Sequence, residues 1–245
     1  MSIFDHIGEL RRRIIITLVF LVIGMIIGLF LADPVYNYIV NQEPVKGMKL
    51  NAFSLWDGIG LYMKFALVIA LIVALPTAAY QLWAFVKPAL GVKEQKATLK
   101  FVPFVLLMFL IGLAFSYYVV FPMAFNFTTD VAKHLNLEET YGVIQYFSFM
   151  FNILIPISLL FELPIVIMFL TKLRILNPKR LKKMRKLAYF VLIVIGVVVT
   201  PPDFISDSLV AAPLILLYEI SVLLSSVVYK KQLQADEAWE EEFGR

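Results

Sequence analysis

Residues 14–32 read IIITLVFLVIGMIIGLFLA, a run in which threonine is the one polar side chain. A helix needs about 20 mainly apolar residues to cross the hydrocarbon core of a bilayer. Five further runs of this kind follow along the chain, at residues 61–86, 101–121, 144–171, 187–199 and 209–229. The run at 187–199 gives a helix of only about 20 Å, which predicts a locally thinner bilayer. We therefore predict an all-α integral membrane protein with six transmembrane helices.

The composition of the whole chain supports a membrane protein. Of its 245 residues, 61% are hydrophobic and 16% are charged. Soluble proteins average about half apolar and about a quarter charged. Cysteine is absent, which argues against a disulfide scaffold and against thiolate metal or redox sites. The net charge of +4 matters here through the loops that carry it, so we predict no nucleic-acid partner.

Lysine and arginine are concentrated on one side of the predicted helices. The segments before the first run, between residues 87 and 100, between 172 and 186, and in the C-terminal tail hold 18 of the 22. The positive-inside rule therefore predicts that both termini are cytoplasmic. Residues 1–230 are predicted to form a single transmembrane domain. Residues 231–245, which are rich in acidic side chains, are predicted to form a solvated cytoplasmic tail.

The segment before the first run has its own pattern. Apolar side chains recur at helical spacing at Ile3, Ile7, Leu10 and Ile14. This spacing predicts a helix that lies along the membrane interface. On its polar side, Glu9 lies one turn from Arg12 and Arg13. An ion pair within this helix is the structural alternative to a binding role for Glu9.

Prolines interrupt three of the predicted spans, at Pro76, Pro156, Pro164 and Pro213. A proline inside a helix removes a backbone hydrogen bond and bends the helix. We therefore expect a bent, concave surface that carries Glu162, rather than a closed bundle. Small residues four positions apart predict close helix packing, at Gly24 with Gly28, Ala70 with Ala74, and Gly112 with Ser116.

Glu162 and Glu219 fall inside predicted spans, each about 10 residues, or roughly 15 Å, from the cytoplasmic end. A charge near mid-bilayer costs about 2.5–3.5 kcal/mol on insertion scales. No basic side chain is expected at their level. Each glutamate is therefore predicted to be protonated, hydrogen-bonded inside the fold, or facing a wet cavity.

Five short motifs follow one another from about residue 6 to residue 229. The first consists of His6, Glu9, Leu10, Arg11 and Arg13, and the second of Pro76, Tyr80, Gln81, Trp83, Phe85, Pro88, Ala89, Leu90 and Glu94. The others are Phe161-Glu162-Leu163-Pro164, Thr200-Pro201-Pro202-Asp203 and Tyr218-Glu219. In order and spacing they resemble the TatC family, the multi-spanning receptor subunit of the twin-arginine protein translocase. One departure is Asp207, where the family often has glutamine, so no amide role is carried over to that position.

The resemblance implies a receptor rather than an enzyme. Its cytoplasmic face would bind the paired arginines of a signal peptide on a folded cargo protein. A guanidinium presents a planar fork of donors that suits a carboxylate, and Glu9 and Glu94 are the candidates to accept one arginine each. Gln81 would add hydrogen bonds, and Phe85 would offer an aromatic face. Arg11 and Arg13, which belong to the same motif as Glu9, complete the predicted site.

The resemblance also implies partners inside the membrane. Single-span proteins of the TatA and TatB types would meet the polar groups at Glu162, Glu219 and Asp203. Several copies of the chain would assemble in the complex. The proton-motive force would supply the energy, and the location would be a bacterial-type cytoplasmic membrane. No cofactor and no metal are implied.

Two other classes of protein remain as alternatives at this point. The first is a proton-coupled transporter of small solutes with Glu162 and Glu219 as relay carboxylates. It leaves the cytoplasmic pair Glu9 and Glu94 unexplained, and no internal repeat is visible. The second is an integral-membrane enzyme. Two histidines predicted on opposite sides, no cysteine and no HExxH sequence argue against a metal site for it.

Overall fold

The computed structural model describes residues 3–138, 140–199 and 204–243. Within these ranges the chain forms ten α-helices, and its one extended pairing is a single bridge between Asn51 and Gly142. The helices are α1 (Ile3–Val40), α2 (Asp57–Val86), α3 (Val92–Leu99), α4 (Phe101–Phe115), α5 (Phe121–His134), α6 (Val143–Leu160), α7 (Leu163–Lys172), α8 (Pro178–Lys183), α9 (Arg185–Val199) and α10 (Phe204–Phe243). The prediction of an all-helical fold is confirmed.

Five helical segments of the described chain are long and apolar enough to cross a bilayer. They are Ile7–Val40, Asp57–Val86, Phe101–His134, Val143–Lys172 and Val210–Gln234. The remaining predicted span corresponds to α9, which has 15 residues and measures about 22 Å. It is the short span that the sequence pattern indicates.

Three segments differ from the sequence prediction. The N-terminal residues do not form a separate interfacial helix, because α1 runs without a break from Ile3 to Val40. The predicted outer loop after residue 121 begins as helix α5, which continues α4 through a π-helical turn at Ser116–Val120. The predicted tail is also helical, since α10 continues to Phe243.

Glycines allow α1 and α2 to pack at very short distance. A Cβ atom added to Gly28 would lie 2.6 Å from the Cα atom of Ala66, and one added to Gly24 would lie 2.8 Å from the Cα atom of Ala70. Both distances are far below van der Waals contact, so the backbones can approach this closely only where the α1 residue is glycine. The predicted role of Gly24 and Gly28 in helix packing is therefore confirmed.

The same antiparallel register extends to both ends of the α1–α2 pair. Toward the N-terminus of α1, Arg13 lies opposite Gln81, with 3.4 Å between Arg13 Nη1 and Gln81 Oε1. Toward the other end, the Tyr62 hydroxyl donates a hydrogen bond to Asp33. The N-terminal end of α1 therefore lies beside the C-terminal end of α2. The first motif and the second motif are consequently brought to the same end of the molecule.

An aromatic cluster joins this pair to the rest of the fold. Phe65 of α2 contacts Phe147 and Phe151 of α6, with ring centroids 5.2 and 5.1 Å apart. On the other side of α6, Tyr146 packs edge-on against Phe121 at 5.6 Å. All five side chains are buried. Edge-to-face packing of this kind fixes the position of α6 against both α2 and α5.

The fourth predicted span is broken at Glu162. Helix α6 ends at Leu160, and α7 begins at Leu163 with Pro164 in its first turn. Proline is tolerated in a first helical turn because its missing N–H needs no partner there. The break leaves Glu162 between two helices rather than in the middle of one.

Polar contacts connect α7 and the loop after it to α10. The Thr171 and Ser225 hydroxyls lie 2.7 Å apart, and Gln232 Nε2 donates to the Lys172 carbonyl at 2.9 Å. Further out, Arg174 Nη2 lies 2.7 Å from Asp236 Oδ1. The first part of the predicted solvated tail is therefore packed against the protein, because Gln232 is buried there.

Candidate functional site

A groove of about 510 Å³ lies between α1, α2, α4, α6 and α7. Its lining is apolar apart from Arg13, Thr17, Gln81 and Glu162. Glu162, which the sequence predicts on a concave surface, is part of the wall of this groove. We call the part of the groove beside Arg13 and Gln81 its polar end.

The polar end is built around one carboxylate. Arg13 Nη2 lies 2.5 Å from Glu9 Oε1, and Nη1 lies 3.4 Å from Gln81 Oε1. Glu9 and Arg13 meet because residues four positions apart share one face of a helix. Their side chains are 26% and 21% exposed, so solvent reaches the pair without surrounding it. The buried Arg13 Nε atom has no hydrogen-bond partner among the described residues.

The corner between α2 and α3 is fixed by two side chains. Trp83 Nε1 donates to Thr98 Oγ1 at 3.0 Å, and both residues are buried. Gln95 Nε2 donates to the Lys87 carbonyl at 3.1 Å. These bonds hold α3, which carries Glu94, directly beyond the C-terminal end of α2. The side chain of Glu94 itself lies outside the described part of the chain.

The structure thus brings together three of the predicted binding residues, Glu9, Arg13 and Gln81. Phe85 lies one turn beyond Gln81 on α2 and lines the same groove. Arg11 does not join this cluster: its side chain is exposed, and it forms no ion pair within the described ranges.

Glu162 is buried in the groove wall, with only 8% of its surface exposed. Both of its carboxylate oxygens are inaccessible to solvent in the isolated chain, and the backbone of Phe109 lies near them without completing a hydrogen bond of good geometry. A hydrogen bond inside the fold, one of the three predicted environments for this glutamate, is therefore not formed with a described residue. A buried polar group without a partner is costly, so this carboxyl group would gain a partner if the groove wall opened to a group outside the chain.

Glu219, unlike Glu162, is reached by a basic side chain. Arg185 Nη2 lies 2.6 Å from Glu219 Oε2, and the Tyr189 hydroxyl donates to Oε1. The prediction that no basic group lies at this level is wrong. The reason is the packing of the preceding segment, since the Tyr218 hydroxyl donates to the Leu181 carbonyl at 2.9 Å. This bond holds α8, and with it the start of α9, beside the turn that carries Glu219.

The remaining predicted residue, Asp203, lies outside the described residues, as does the rest of the motif at 200–203. In the part of the chain that the structure describes, no three His, Cys, Asp or Glu side chains are placed to hold a metal ion.

Two contacts of the site could not be anticipated from the motifs alone. No sequence pattern predicts the hydrogen bond between Trp83 and Thr98, because threonine occurs on short helices in many structural contexts. The Arg185–Glu219 pair has a weak signal, since Arg185 precedes a span too short to cross a bilayer of ordinary thickness. A charge at the start of such a span reaches deeper than a charge before a full-length one.

The fold and the groove define a multi-spanning helical membrane protein with a polar site at one end of its groove. The family model described as "Sec-independent protein translocase protein (TatC)" matches residues 5–213. The chain belongs to this TatC family.

Relatives along the whole chain agree with this assignment. The Sec-independent protein translocase protein TatC of Halalkalibacterium halodurans is 44% identical over 99% of this chain and 96% of its own length. TatCy of Bacillus subtilis is 43% identical over 97% of this chain and 94% of its own length. A crystal structure titled as the twin arginine translocase receptor TatC matches with a TM-score of 0.75 and 31% identity, covering 91% of this chain and 99% of the other.

Proposed function

We propose that this chain is the receptor subunit of a twin-arginine translocase and binds the signal peptides of folded precursors at the polar end of the groove. One observation carries the proposal: the Glu9 carboxylate, beside Gln81, already accepts a guanidinium at 2.5 Å. The position is therefore suited in shape and charge to an arginine side chain. The matching crystal structure is that of a twin arginine translocase receptor, TatC.

Two arginines need two acceptors, and the fold supplies them from separate elements. Glu9 belongs to the start of α1, and Glu94 belongs to α3 just beyond the end of α2. The register of α1 against α2 places both elements at the same end of the molecule. In the proposed complex one arginine binds Glu9 with help from Gln81, and the other binds Glu94. Phe85 then offers its ring to the cation or to an apolar residue of the peptide.

The proposed orientation has both termini in the cytoplasm of a bacterial-type cell with the chain in its cytoplasmic membrane. The asymmetric distribution of lysine and arginine supports it, with 18 of 22 on the side of the termini. This orientation places the polar end of the groove toward the compartment in which precursors fold.

The proposed partners inside the membrane are single-span proteins of the TatA and TatB types, further copies of this chain and the surrounding lipid. The unpartnered carboxyl group of Glu162 in the groove wall supports a contact with such a partner. The oxygens of Glu219 are both bonded within the chain, so its proposed contribution is to hold α9 against α10. A partner contact by Asp203 stays a prediction. Transport energy is proposed to come from the proton-motive force, with no catalytic step on this chain.

The solute-carrier alternative is unsupported. It requires two relay carboxylates, and one of them, Glu219, is neutralised by Arg185. Membership of a protein translocase family accounts for the cytoplasmic motifs that a carrier leaves unexplained.

The proposal is tested by co-purification of a twin-arginine precursor with variants of the full chain. Glu9→Ala and Glu94→Ala are each expected to reduce bound precursor by more than about tenfold at unchanged protein level, because hydrogen bonds to charged groups contribute about 1.5–3 kcal/mol. Glu237→Ala is the matched control, since it removes an exposed acid from α10. Precursor binding by Glu94→Ala at the wild-type level would refute the assignment.

A further inference from the structure

We infer that Arg13 is an internal competitor of the signal peptide. Its guanidinium occupies Glu9 and Gln81 while the receptor is empty, and it has to leave before an arginine of the peptide can bind. The inference rests on the proposed function, and it gives Arg13 a different role from the other residues of the motif. Arg13 binds the receptor's own carboxylate rather than the peptide.

The contacts of Arg13 are those expected of a displaceable occupant. Its bond to Glu9 uses one carboxylate oxygen, and its distance to Gln81 is 3.4 Å, near the limit for a hydrogen bond. Its Nε atom is buried and has no partner among the residues described. A peptide arginine that forms the two parallel bonds of a fork with Glu9 would use both oxygens. The exchange therefore replaces a one-point contact with a two-point contact.

The position of Arg13 also limits access. Arg13 lines the groove at its polar end, whereas Glu9, which it contacts, is not among the lining residues. Glu9 and Arg13 are four residues apart on one helix, so every copy of the chain carries Arg13 beside its Glu9 carboxylate. This competitor cannot diffuse away. The neighbouring Arg12 is exposed and takes no part in an ion pair within the described part of α1.

Competition of this kind has a defined thermodynamic signature. When internal and external ligands exclude each other, the internal one lowers the affinity of every peptide that uses Glu9 by the same factor. The contact is a pair whose side chains are about a quarter exposed, so the factor is about two- to fivefold. Peptides with lysines in place of arginines already bind weakly, since lysine cannot form the fork. The contact with Arg13 lowers the affinity of lysine peptides by the same factor as that of arginine peptides. The ratio between the two affinities therefore does not change.

The experiment compares Arg13→Gln with Arg12→Gln in the full-length protein in lipid nanodiscs. Binding of two fluorescent peptides, one with paired arginines and one with paired lysines, is measured by anisotropy at fixed ionic strength. Both variants lose one positive charge near Glu9, but only Arg13→Gln loses the contact. Arg13→Gln is expected to tighten both peptides about two- to fivefold beyond Arg12→Gln, with the arginine-to-lysine affinity ratio unchanged.

Three results would contradict either the inference or the proposed function on which it rests. Weaker binding by Arg13→Gln, or the same binding as Arg12→Gln, would overturn the inference. Arg13→Met, which also removes the positive charge and the contact with Glu9, serves as a second variant if Arg13→Gln misfolds, and an affinity no higher than that of Arg12→Gln would also overturn the inference. Glu9→Gln in the same assay distinguishes a failure of the inference from a failure of the proposed function. Unchanged binding of the arginine peptide by this variant would contradict the proposed function itself.

Discussion

The two glutamates within the membrane-spanning segments have opposite local environments. Glu219 has both oxygens bonded, one to Arg185 and one to Tyr189. Glu162 has neither oxygen bonded to a described residue, and it lies in the wall of the groove. A paired carboxylate can stabilise the fold, whereas a buried unpaired one is costly to it and is a candidate for a functional role.

This difference predicts different effects of the same substitution. Glu219→Gln leaves Arg185 without a counter-charge, and we expect a loss of about 1–2 kcal/mol of stability, moderated because the two side chains are about a third exposed. Glu162→Gln removes no bond, so we expect normal levels of folded protein but reduced export of a twin-arginine precursor. The measurements are the yield of monodisperse protein in size exclusion and export in cells.

The double variant Arg185→Gln, Glu219→Gln is the control, because it removes both charges together and should recover part of the lost yield. Equal yields for Glu162→Gln and Glu219→Gln would contradict this account of the pair. Normal assembly and normal export by Glu162→Ala would contradict the proposed partner contact.

At the scale of elements, the α1–α2 pair determines the geometry of the polar end. Arg13 and Gln81 meet only because Gly24 and Gly28 let the two backbones approach closely further along the same pair. A wider separation of α1 and α2 would move Glu9 away from Gln81. Binding at one end of the pair therefore depends on packing near its middle.

Gly28→Ala tests this dependence. The added Cβ would lie 2.6 Å from the Cα atom and 2.8 Å from the carbonyl oxygen of Ala66, both of them backbone atoms that cannot turn aside. Overpacking of this kind costs about 1–3 kcal/mol, so we expect a lower unfolding temperature and weaker peptide binding. The matched control is Gly58→Ala in α2, where nothing lies within 4 Å of the added atom. Equal unfolding temperatures for the two variants would contradict the packing account.

The sequence allowed most of the helices to be predicted, and the exceptions have physical reasons. Hydropathy alone identifies residues 14–32, because a run without charge has one stable conformation in lipid. It ends the third span too early, since α5 mixes polar residues such as Asn126 and Asp130 with apolar ones. Helix α5 is held by burial of Phe121, Ala124 and Phe125 against other elements, which a hydropathy window does not detect.

The sequence predicts which residues belong to the candidate site, but it does not predict which of them pair with each other. Helical spacing indicates that Glu9 can pair with Arg12 or Arg13, and it cannot decide between them. The choice of Arg13 depends on Gln81, which lies 68 positions further along the chain. The Arg185–Glu219 pair was missed for a similar reason, because counting residues from a helix end assumes that the adjoining loop stays at the membrane surface.

At the scale of the whole molecule, helices α1, α2, α4, α6 and α7 surround one groove. The groove has a carboxylate with a guanidinium partner at one end and an unpartnered carboxyl group in its wall. The break between α6 and α7 places Glu162 in the groove wall, and α3 closes the corner beyond α2. This arrangement links a proposed recognition site for a peptide to a proposed contact for membrane partners.

The central claim is that a twin-arginine peptide binds between the start of α1 and the α2–α3 corner. The most direct measurement leaves the receptor unaltered and places a photo-crosslinking residue in the peptide beside its paired arginines. After irradiation in nanodiscs, mass spectrometry locates the attachment points. We expect them at residues 9–13, 81–85 and 92–96, and we expect them to disappear with excess unlabelled peptide. Attachment confined to α9 and α10, or attachment that unlabelled peptide does not reduce, would contradict the claim.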